Sequence, residues 1–379
     1  MKILYFTPSL YNSGGTERVL SLKANYLAGI NGFEVVIVTT DQKHRKPFFD
    51  LDNRIKLYDL DINYCDDTSL PLLKMYQVRK KKNSLYKMRL LNLVLEESPD
   101  VCVSLFGKEF DFLPDLNLPC KIVAELHFNK MFRQHTYLSI HKGFLWKFIA
   151  KFRTFQLVQT SQKYDRIVVL TKEDLAEWNK TNHNVIQIYN PLPYEDSVIS
   201  NLNYKSLISV GRLSSEKNYE SLISAWNYVY CKHPDWKINI WGDGELKSNL
   251  KKLISDNNLE DSICLCGKTN SIDKEYLKNS AFVMTSKYEG FPMVLLEASS
   301  FGLPLISYDC YCGPKDIIDD GKNGFLVPFA NERALADAIC EIIENPSVRA
   351  SMGFAAREKS LEFSQEKILP KWPKFFNSL

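Results

Sequence analysis

The chain has 379 residues, of which 45% are hydrophobic and 25% charged, and its formal net charge is +3. This composition is typical of a soluble globular protein. No segment reaches the ~18 uninterrupted apolar residues of a membrane-spanning helix, and at about 150 residues per domain the length favours two domains.

Strand-like segments alternate with helical patterns along the whole chain. In the first half the strand-like segments are KILYFTP, FEVVIVTT, VCVSLF, KIVAEL, RIVVL and NVIQIY. The second half repeats the rhythm with SLISVG, KINIWG, SICLCG, AFVMTS, LPLISY and GFLVPF. Near-continuous apolar strands with helical crossovers predict an α/β protein with doubly wound parallel sheets.

A polar segment with two prolines and no clear period, residues 189–206, is the predicted linker. We therefore expect a Rossmann-like domain at 1–192 and a second Rossmann-like domain at 193–362. A final helix at 363–379 is expected to pack back on the first domain. Ligands bind outside the carboxyl ends of parallel strands, so a cleft between two facing sheets is the expected active site.

The N-terminal segment MKILYFTPSLYNSGG favours a first buried strand over a cleavable signal peptide. The nine cysteines show no pairing pattern and lack the CxxC spacing of a zinc site, which favours structural or incidental thiols. These observations predict the reducing cytoplasm as the location and no bound metal.

Basic and aromatic residues are concentrated in one region, 128–163, within a longer stretch that has no Asp or Glu. One interpretation is peripheral contact with an anionic membrane. The alternative is a core helix whose apolar side packs inward while its cations are merely solvated. No nucleic-acid-binding module is recognisable, so no nucleic-acid partner is expected.

Two loops that follow strands carry ligand-binding features. Gly14 and Gly15 open a helix soon after the first strand, which suits either an ordinary turn or close approach of backbone amides to an anion. Gly211, Arg212 and Lys217 follow the first strand of the second half, where the two cations would suit a diphosphate. The alternative is that these two cations are surface residues paired with Glu216 or Glu220.

Two further strand ends are candidates. Gly242 and Gly244 form either a simple turn or a loop that another group approaches closely, and both interpretations stay open. His127 ends the KIVAELH segment, where a structural role and a role in the active-site cleft are both possible.

The segment SKYEGFPMVLLEASSFGLP places Glu289 before a helix predicted to start at Pro292 and to end at Gly302. Glu297 would lie inside that otherwise uncharged helix. A buried, unpaired carboxylate costs several kcal/mol, so Glu297 needs a polar partner. Sugar hydroxyls of a nucleotide would fit, and a neighbouring backbone N–H is the structural alternative.

Taken together, these motifs resemble the retaining glycosyltransferases of family 4, which have the GT-B fold of two Rossmann-like domains facing each other across a cleft. The resemblance spans nearly the whole chain and rests on SGGTERV, GRLSSEKN, WGDGEL, SKYEGFPMVLLEA, GLPLISYDC and GPKDIIDDGKNGFLV. It implies that Arg212 and Lys217 hold a diphosphate, that Glu297 binds the ribose and that Glu289 contacts the donor sugar. The residues that the resemblance places around the donor are Gly14, Gly15, His127, Gly211, Gly242, Gly244, Gly290, Phe291 and Met293.

The resemblance also implies an activity. This would be retaining transfer of a hexosyl or N-acetylhexosaminyl group from a nucleotide-sugar to a glycan or lipid-linked acceptor in surface-polysaccharide synthesis, and the donor expected from the family is a UDP-sugar. His127, Arg212, Lys217 and Glu289 would act in catalysis, with no cofactor or metal beyond the co-substrate. Alternatives are a sugar-nucleotide epimerase of the same fold and a non-catalytic nucleotide-binding scaffold. A missing G-x-G-x-x-G argues against a nicotinamide oxidoreductase.

Overall fold

The computed structural model of the protein describes residues 1–67, 71–134, 143–195 and 198–379. The chain divides into two units, and each contains one parallel sheet. The first unit comprises Met1–Pro191 and Ile368–Leu379, and the second comprises Leu192–Lys367.

The strands of the first unit are β1 (Lys2–Thr7), β2 (Glu34–Thr39), β3 (Lys56–Asp59), β4 (Val101–Ser104), β5 (Lys121–Leu126), β6 (Arg166–Val169) and β7 (Val185–Gln187). Those of the second unit are β8 (Ser206–Val210), β9 (Lys237–Trp241), β10 (Ile263–Gly267), β11 (Phe282–Met284), β12 (Leu305–Asp309) and β13 (Gly324–Pro328). The predicted α/β architecture with two parallel sheets is confirmed.

The α-helices follow in chain order. They are α1 (Gly15–Ala28), α2 (Leu72–Glu97), α3 (Phe144–Ser161), α4 (Lys172–Asn179), α5 (Tyr219–Lys232), α6 (Lys247–Asp256), α7 (Ile272–Tyr276), α8 (Met293–Ser300), α9 (Pro314–Ile317), α10 (Glu332–Glu344), α11 (Pro346–Ser360), α12 (Gln365–Ile368) and α13 (Lys371–Asn377).

The first sheet has the order β3-β2-β1-β4-β5-β6-β7. Both of its faces are covered, because alternate residues of β1 enter different cores. Leu4 and Phe6 belong to one core, and Ile3 and Tyr5 belong to the other. The second of these cores also receives Trp372 from α13. Strand β3 was missed in the sequence because it is a short edge strand with no buried residue.

The second sheet has the order β10-β9-β8-β11-β12-β13. From β8 the chain builds outwards to β9 and β10 on one side and then returns to build β11, β12 and β13 on the other. The point where the strand order reverses therefore lies between β8 and β11. In open parallel sheets this switch point opens a crevice at the carboxyl ends of the strands, where ligands bind.

Helix α3 carries much of the basic and aromatic region seen in the sequence. Its buried residues are Ala150, Leu157, Val158 and Ser161, whereas Phe144, Leu145, Phe148, Phe152 and Phe155 are exposed. The inward-packed apolar side that the core-helix alternative expects is therefore formed by Ala150, Leu157 and Val158, whereas the exposed aromatic residues do not belong to it. Residues 135–142 of the same region lie outside the described residues. Among the described residues, no helix combines the length and apolar character needed to cross a membrane.

Candidate active site

The loop after β8 and the loop after β9 are in direct backbone contact. The Gly211 N–H donates to the Trp241 carbonyl at 2.9 Å, and the Leu213 N–H donates to the Asp243 carbonyl at 3.0 Å. A Cβ on Gly242 would lie 1.9 Å from the Gly211 carbonyl oxygen, and one on Gly244 would lie 2.3 Å from the Leu213 oxygen. Both glycines thus allow close approach of a protein loop, which fixes the backbone that carries Arg212.

Lys217 and Glu289 form an ion pair across the switch point of the second sheet. The Lys217 Nζ lies 2.7 Å from Glu289 Oε1, and their side chains are 21% and 13% exposed. The two residues are 72 positions apart in the chain. The sequence alternative, in which Lys217 pairs with Glu216 or Glu220, is wrong.

Backbone and side-chain hydrogen bonds tie together the two loops that carry this ion pair. The Lys287 N–H donates to the Glu216 carbonyl at 2.8 Å, and the Thr285 hydroxyl donates to the Lys217 carbonyl at 3.0 Å. The Glu289 N–H donates to the Tyr311 carbonyl at 3.1 Å. The ion pair is therefore held by loops that are themselves fixed.

The charge of Glu289 acts on buried neighbours that titrate. Burial, followed by the Glu289 charge, raises the pKa of the Cys310 thiol. Burial also raises the pKa of the Tyr219 hydroxyl, and Glu289 adds to that effect. Both groups stay neutral around physiological pH.

Arg212 is exposed and makes no ion pair with any residue that the structure describes. It borders a shallow depression of about 490 Å³ that is also lined by Asp243, Gly244, Glu245 and Lys268. A planar guanidinium without an ion-pair partner, beside a glycine loop, is suited to donate two hydrogen bonds to two oxygens of an anion such as phosphate.

Glu297 lies within α8 and is only 8% exposed. The hydroxyl of Tyr276, itself fully buried, donates to Glu297 Oε2 at 3.1 Å. The expected polar partner therefore includes a tyrosine hydroxyl. Helix α8 begins at Met293, directly after Pro292, and ends at Ser300, so it stops before the predicted end at Gly302.

The first turn of α8 already uses several of its backbone donors. The Met293 N–H donates to the Phe291 carbonyl at 2.9 Å, and the Leu295 N–H donates to the Pro292 carbonyl at 2.9 Å. Gly290 is half-buried, whereas Phe291 and Met293 are buried. A ligand that used the amide of Met293 would have to replace an existing hydrogen bond.

In the first unit, Gly14 caps α1 and Gly15 is its first residue, so both follow β1 as predicted. Gly14 has φ −75°, a value open to any residue, and its carbonyl accepts from the Arg18 N–H at 3.1 Å. A Cβ on Gly14 would meet the Glu17 carboxylate at 2.3 Å. The small size of Gly14 therefore matters next to a flexible side chain, and its backbone conformation does not require glycine.

His127 follows β5 and its side chain is 4% exposed. Its Nε2 lies 3.1 Å from Oε1 of Glu125, which also pairs with Lys23 of α1. Sequence reasoning missed Lys23 and Glu125. The signal was present, because Lys23 falls on the apolar stripe of α1 between Leu20 and Leu27.

The described residues also include a group that could hold a metal ion away from these loops. Ligand atoms of His233, Cys340 and Glu344 lie within 4.8 Å of one another. None of the three belongs to the site predicted from the sequence, and the expectation of a metal-free reaction stays a prediction.

Comparison with known proteins identifies the family. The family described as glycosyl transferases group 1 matches residues 194–359, which include the loops of the second unit. An uncharacterized glycosyltransferase of Haemophilus influenzae is 31% identical over 385 residues, covering 98% of each chain. The chain belongs to the group 1 glycosyltransferases. The amylovoran biosynthesis glycosyltransferase AmsD of Erwinia amylovora is 27% identical to this glycosyltransferase, over 99% of each chain.

Solved structures agree with this glycosyltransferase in fold. Staphylococcus aureus TarM, in complex with fondaparinux, α-GlcNAc-glycerol and UDP, superimposes with a TM-score of 0.79 at 18% identity, over 99% of each chain. Anabaena HepE in complex with UDP-glucose gives a TM-score of 0.72 at 17% identity, over the whole of both chains. At these identities the likeness shows the fold alone, which is GT-B.

The structure of this glycosyltransferase brings together part of the predicted site. Gly211, Arg212, Lys217 and Glu289 lie on adjoining loops at the switch point of the second sheet, and Gly242 and Gly244 support those loops. Gly14, Gly15 and His127 lie at strand ends of the first sheet and are described within that unit.

Proposed function

We propose that this glycosyltransferase is a retaining enzyme of family 4 that uses a UDP-sugar. It transfers a hexosyl or N-acetylhexosaminyl group to a glycan or lipid-linked oligosaccharide in surface-polysaccharide synthesis. The observation that carries the proposal is the fixed Lys217–Glu289 pair beside the unpaired Arg212 at the carboxyl ends of β8 and β11.

In this proposal each charge has a role in binding the donor. Arg212 and Lys217 bind the diphosphate and stabilise the negative charge that grows on it as it leaves. Glu289 contacts the donor sugar, and Glu297 accepts hydrogen bonds from the ribose hydroxyls. His127 contacts the donor sugar from the first unit. Arg212 and Lys217 neutralise the negative charge of the diphosphate without a metal ion or another cofactor.

Retention follows from attack on the face from which the diphosphate departs. The bond between the anomeric carbon and the phosphate oxygen breaks, and the acceptor oxygen forms the new bond on the same face. The acceptor proton goes to the departing diphosphate. Exclusion of water from the site limits hydrolysis of the donor.

Relatives support both the donor and the pathway. The Erwinia relative acts in amylovoran biosynthesis. A Campylobacter jejuni relative, 24% identical over 99% of this chain, transfers N-acetylgalactosamine to an undecaprenol-linked glycan. The TarM and HepE structures contain UDP or UDP-glucose. The activities of these relatives and the ligands of these structures favour UDP and a lipid-linked or polymeric acceptor for this chain.

A membrane contact through α3 fits a lipid-linked acceptor. Phe144, Phe148, Phe152 and Phe155 are exposed and fall within an arc of about 80° on the helix. Exposed Lys147 and Lys151 lie beside this stripe on the same helix. Aromatic stripes with neighbouring cations bind anionic lipid surfaces. The enzyme would then work at the inner face of the cytoplasmic membrane.

Vesicle sedimentation at low salt tests the membrane contact. The protein should sediment with phosphatidylglycerol-containing vesicles and not with phosphatidylcholine vesicles, and the Phe148→Ser/Phe152→Ser variant should lose this binding. Phe354→Ser is the matched control, because Phe354 is similarly exposed but lies on α11. Equal binding by both variants would refute a role of α3.

The donor is tested with a panel of UDP- and GDP-sugars and the free nucleotides. A ligand at 100 times its Kd should raise the free energy of unfolding by about 2.7 kcal/mol, and the correct sugar should also be hydrolysed slowly. If no nucleotide or nucleotide-sugar stabilises the protein, the proposed nucleotide-sugar donor is refuted. Binding without turnover, even with acceptors, would favour the scaffold, and interconversion of donor sugars would favour the epimerase.

A further inference from the structure

Lys23 of α1 and Glu125 of β5 form an ion pair inside the first unit. Both side chains are 0% exposed, and the Lys23 ammonium donates to Glu125 Oε2. Lysine and glutamate are rarely buried completely. Apart from the contact of Glu125 with His127, this pair therefore differs from the other ion pairs of the described residues, each of which has at least one partner that reaches solvent.

Pairing opposes the effect of burial on both groups. Burial alone would raise the pKa of Glu125, but Lys23 and His127 outweigh it and lower that pKa to about 2. Burial lowers the pKa of Lys23, and Glu125 opposes this effect. A carboxylate with such a low pKa carries a full negative charge at every pH at which the protein works.

Stability does not explain why this pair is present. Removing two charges from water is so unfavourable that replacing a buried ion pair by apolar residues of similar size is often neutral or stabilising. The pair lies within an apolar core to which Leu20, Leu27 and Val123 contribute, where apolar residues could have packed instead. A requirement other than stability is therefore expected.

The other oxygen of Glu125 faces His127. Glu125 Oε1 and His127 Nε2 lie 3.1 Å apart, but neither atom has a partner in hydrogen-bond geometry. A small rotation of the ring would complete the bond, and catalytic hydrogen bonds are often poorly aligned without substrate. Since a carboxylate only accepts, Nε2 must carry a proton to bond with it, and Nδ1 is left as the second polar atom of the ring.

Two aromatic rings also lie against the Lys23 ammonium. Its Nζ lies 3.9 Å from the centre of the Trp372 ring and 4.7 Å from the centre of the Tyr5 ring. Trp372 belongs to α13, so the C-terminal segment supplies part of the surroundings of this charge. Cations over aromatic faces are stabilised most when they are shielded from water. The rings therefore help to keep Lys23 charged and directed at Glu125.

We propose that Lys23 and Glu125 are positioning residues for His127, and that the Trp372 ring of α13 packs against the Lys23 ammonium. Glu125 fixes the ring orientation of His127 and keeps a proton on Nε2, so that the imidazole meets the donor sugar in one state. This inference rests on the proposed function, in which His127 contacts the donor sugar.

The test is the double variant Lys23→Met/Glu125→Leu, which removes both charges and leaves neither unpaired. We expect it to fold with unchanged thermal stability or better and to bind UDP like the wild type. Its kcat should fall by about 10- to 100-fold with little change in the KM of the donor, because misplacing a reacting group has effects of this size. Wild-type turnover in the folded variant would overturn the proposal.

A control is Lys2→Met/Glu97→Leu, which removes a partly buried ion pair of 3.1 Å at the amino end of β1, together with the contacts of Glu97 to Lys56 and Tyr58. This control variant is expected to change thermal stability and to keep the kcat of the wild type. Equal kcat losses in both double variants would show that loss of any ion pair in the unit impairs the enzyme, which also overturns the proposal.

Nitrogen NMR of the wild-type His127 ring gives a result that does not depend on turnover or on the variant folding. The proposal requires a proton on Nε2, and a ring with a bare Nε2 would overturn it. If no nucleotide-sugar is turned over, the proposed function fails while the NMR result still decides the positioning of His127.

Discussion

Replacing Lys217 by Met should weaken UDP binding, because it removes a cation that the structure fixes beside Glu289. The Nζ–Oε1 distance of 2.7 Å is that of a charge-assisted hydrogen bond, and the lysine is 21% exposed, so it is partly shielded from solvent. A hydrogen bond to a charged group contributes about 1.5–3 kcal/mol. At about 1.4 kcal/mol per tenfold, the Kd for UDP should rise by roughly 10- to 100-fold.

Glu289→Gln distinguishes ligand binding from a purely structural ion pair. Without the carboxylate, Lys217 is released from its partner and remains available to the diphosphate. UDP should therefore bind as tightly as to the wild type or more tightly, while turnover of the donor sugar falls. Isothermal titration calorimetry at fixed salt measures both variants.

Lys287→Met is the control for loss of a lysine from the same loop. Lys287 is exposed and is tied to the opposite loop only through its backbone N–H, so its charge is screened by solvent. Its removal should leave the Kd for UDP nearly unchanged. If Lys217→Met and Glu289→Gln weaken UDP binding equally, the pair acts as a structural unit and the reasoning is refuted.

Three further predictions concern other parts of the chain. Gly242→Ala should lower the free energy of unfolding by about 3 kcal/mol or more in urea titrations, because its φ is +143° and the new Cβ would overlap a carbonyl. The control is Gly267→Ala, at φ +78° in open space, which should lower it by only about 1–2 kcal/mol. Glu297→Gln should weaken UDP binding in calorimetry but not the binding of inorganic pyrophosphate, which has no ribose, and equal weakening of both would contradict the ribose role. As the pH falls from about 4.5 towards 2, the stability that Glu125 contributes through its lowered pKa should be lost in thermal melts, and the variant Lys23→Met/Glu125→Leu should lack this loss.

The strands were predictable because burial on both faces leaves a clear pattern of apolar residues. The edge strand β3 was not, since its residues are partly exposed and read as a loop. Strand ends were equally informative: Arg212, Lys217 and Glu289 were found because parallel sheets bind ligands where strands end. The carboxylate that pairs with Lys217 depends on strand order, and strand order cannot be predicted from local sequence.

The buried charges of the first unit show a different limit of sequence reasoning. Lys23 lies on the apolar face of α1, but a lysine there can equally extend its ammonium to solvent. Trp372 of α13 packs against the buried Lys23, and α13 comes from a distant part of the chain. In the same way, the Tyr276 partner of Glu297 could not be read from either local pattern.

The first unit is discontinuous in sequence, and this has a consequence for synthesis of the chain. Its core includes Trp372 and Phe376, which leave the ribosome only after all of Leu192–Lys367. The amino-terminal part must therefore wait, with an apolar surface and the Lys23 ammonium uncovered, while the whole second unit is made. Because domains generally fold as units during synthesis, the second unit can complete its fold before the first. A chaperone that shields apolar surface would thus be needed most by the part of the chain that is made earliest.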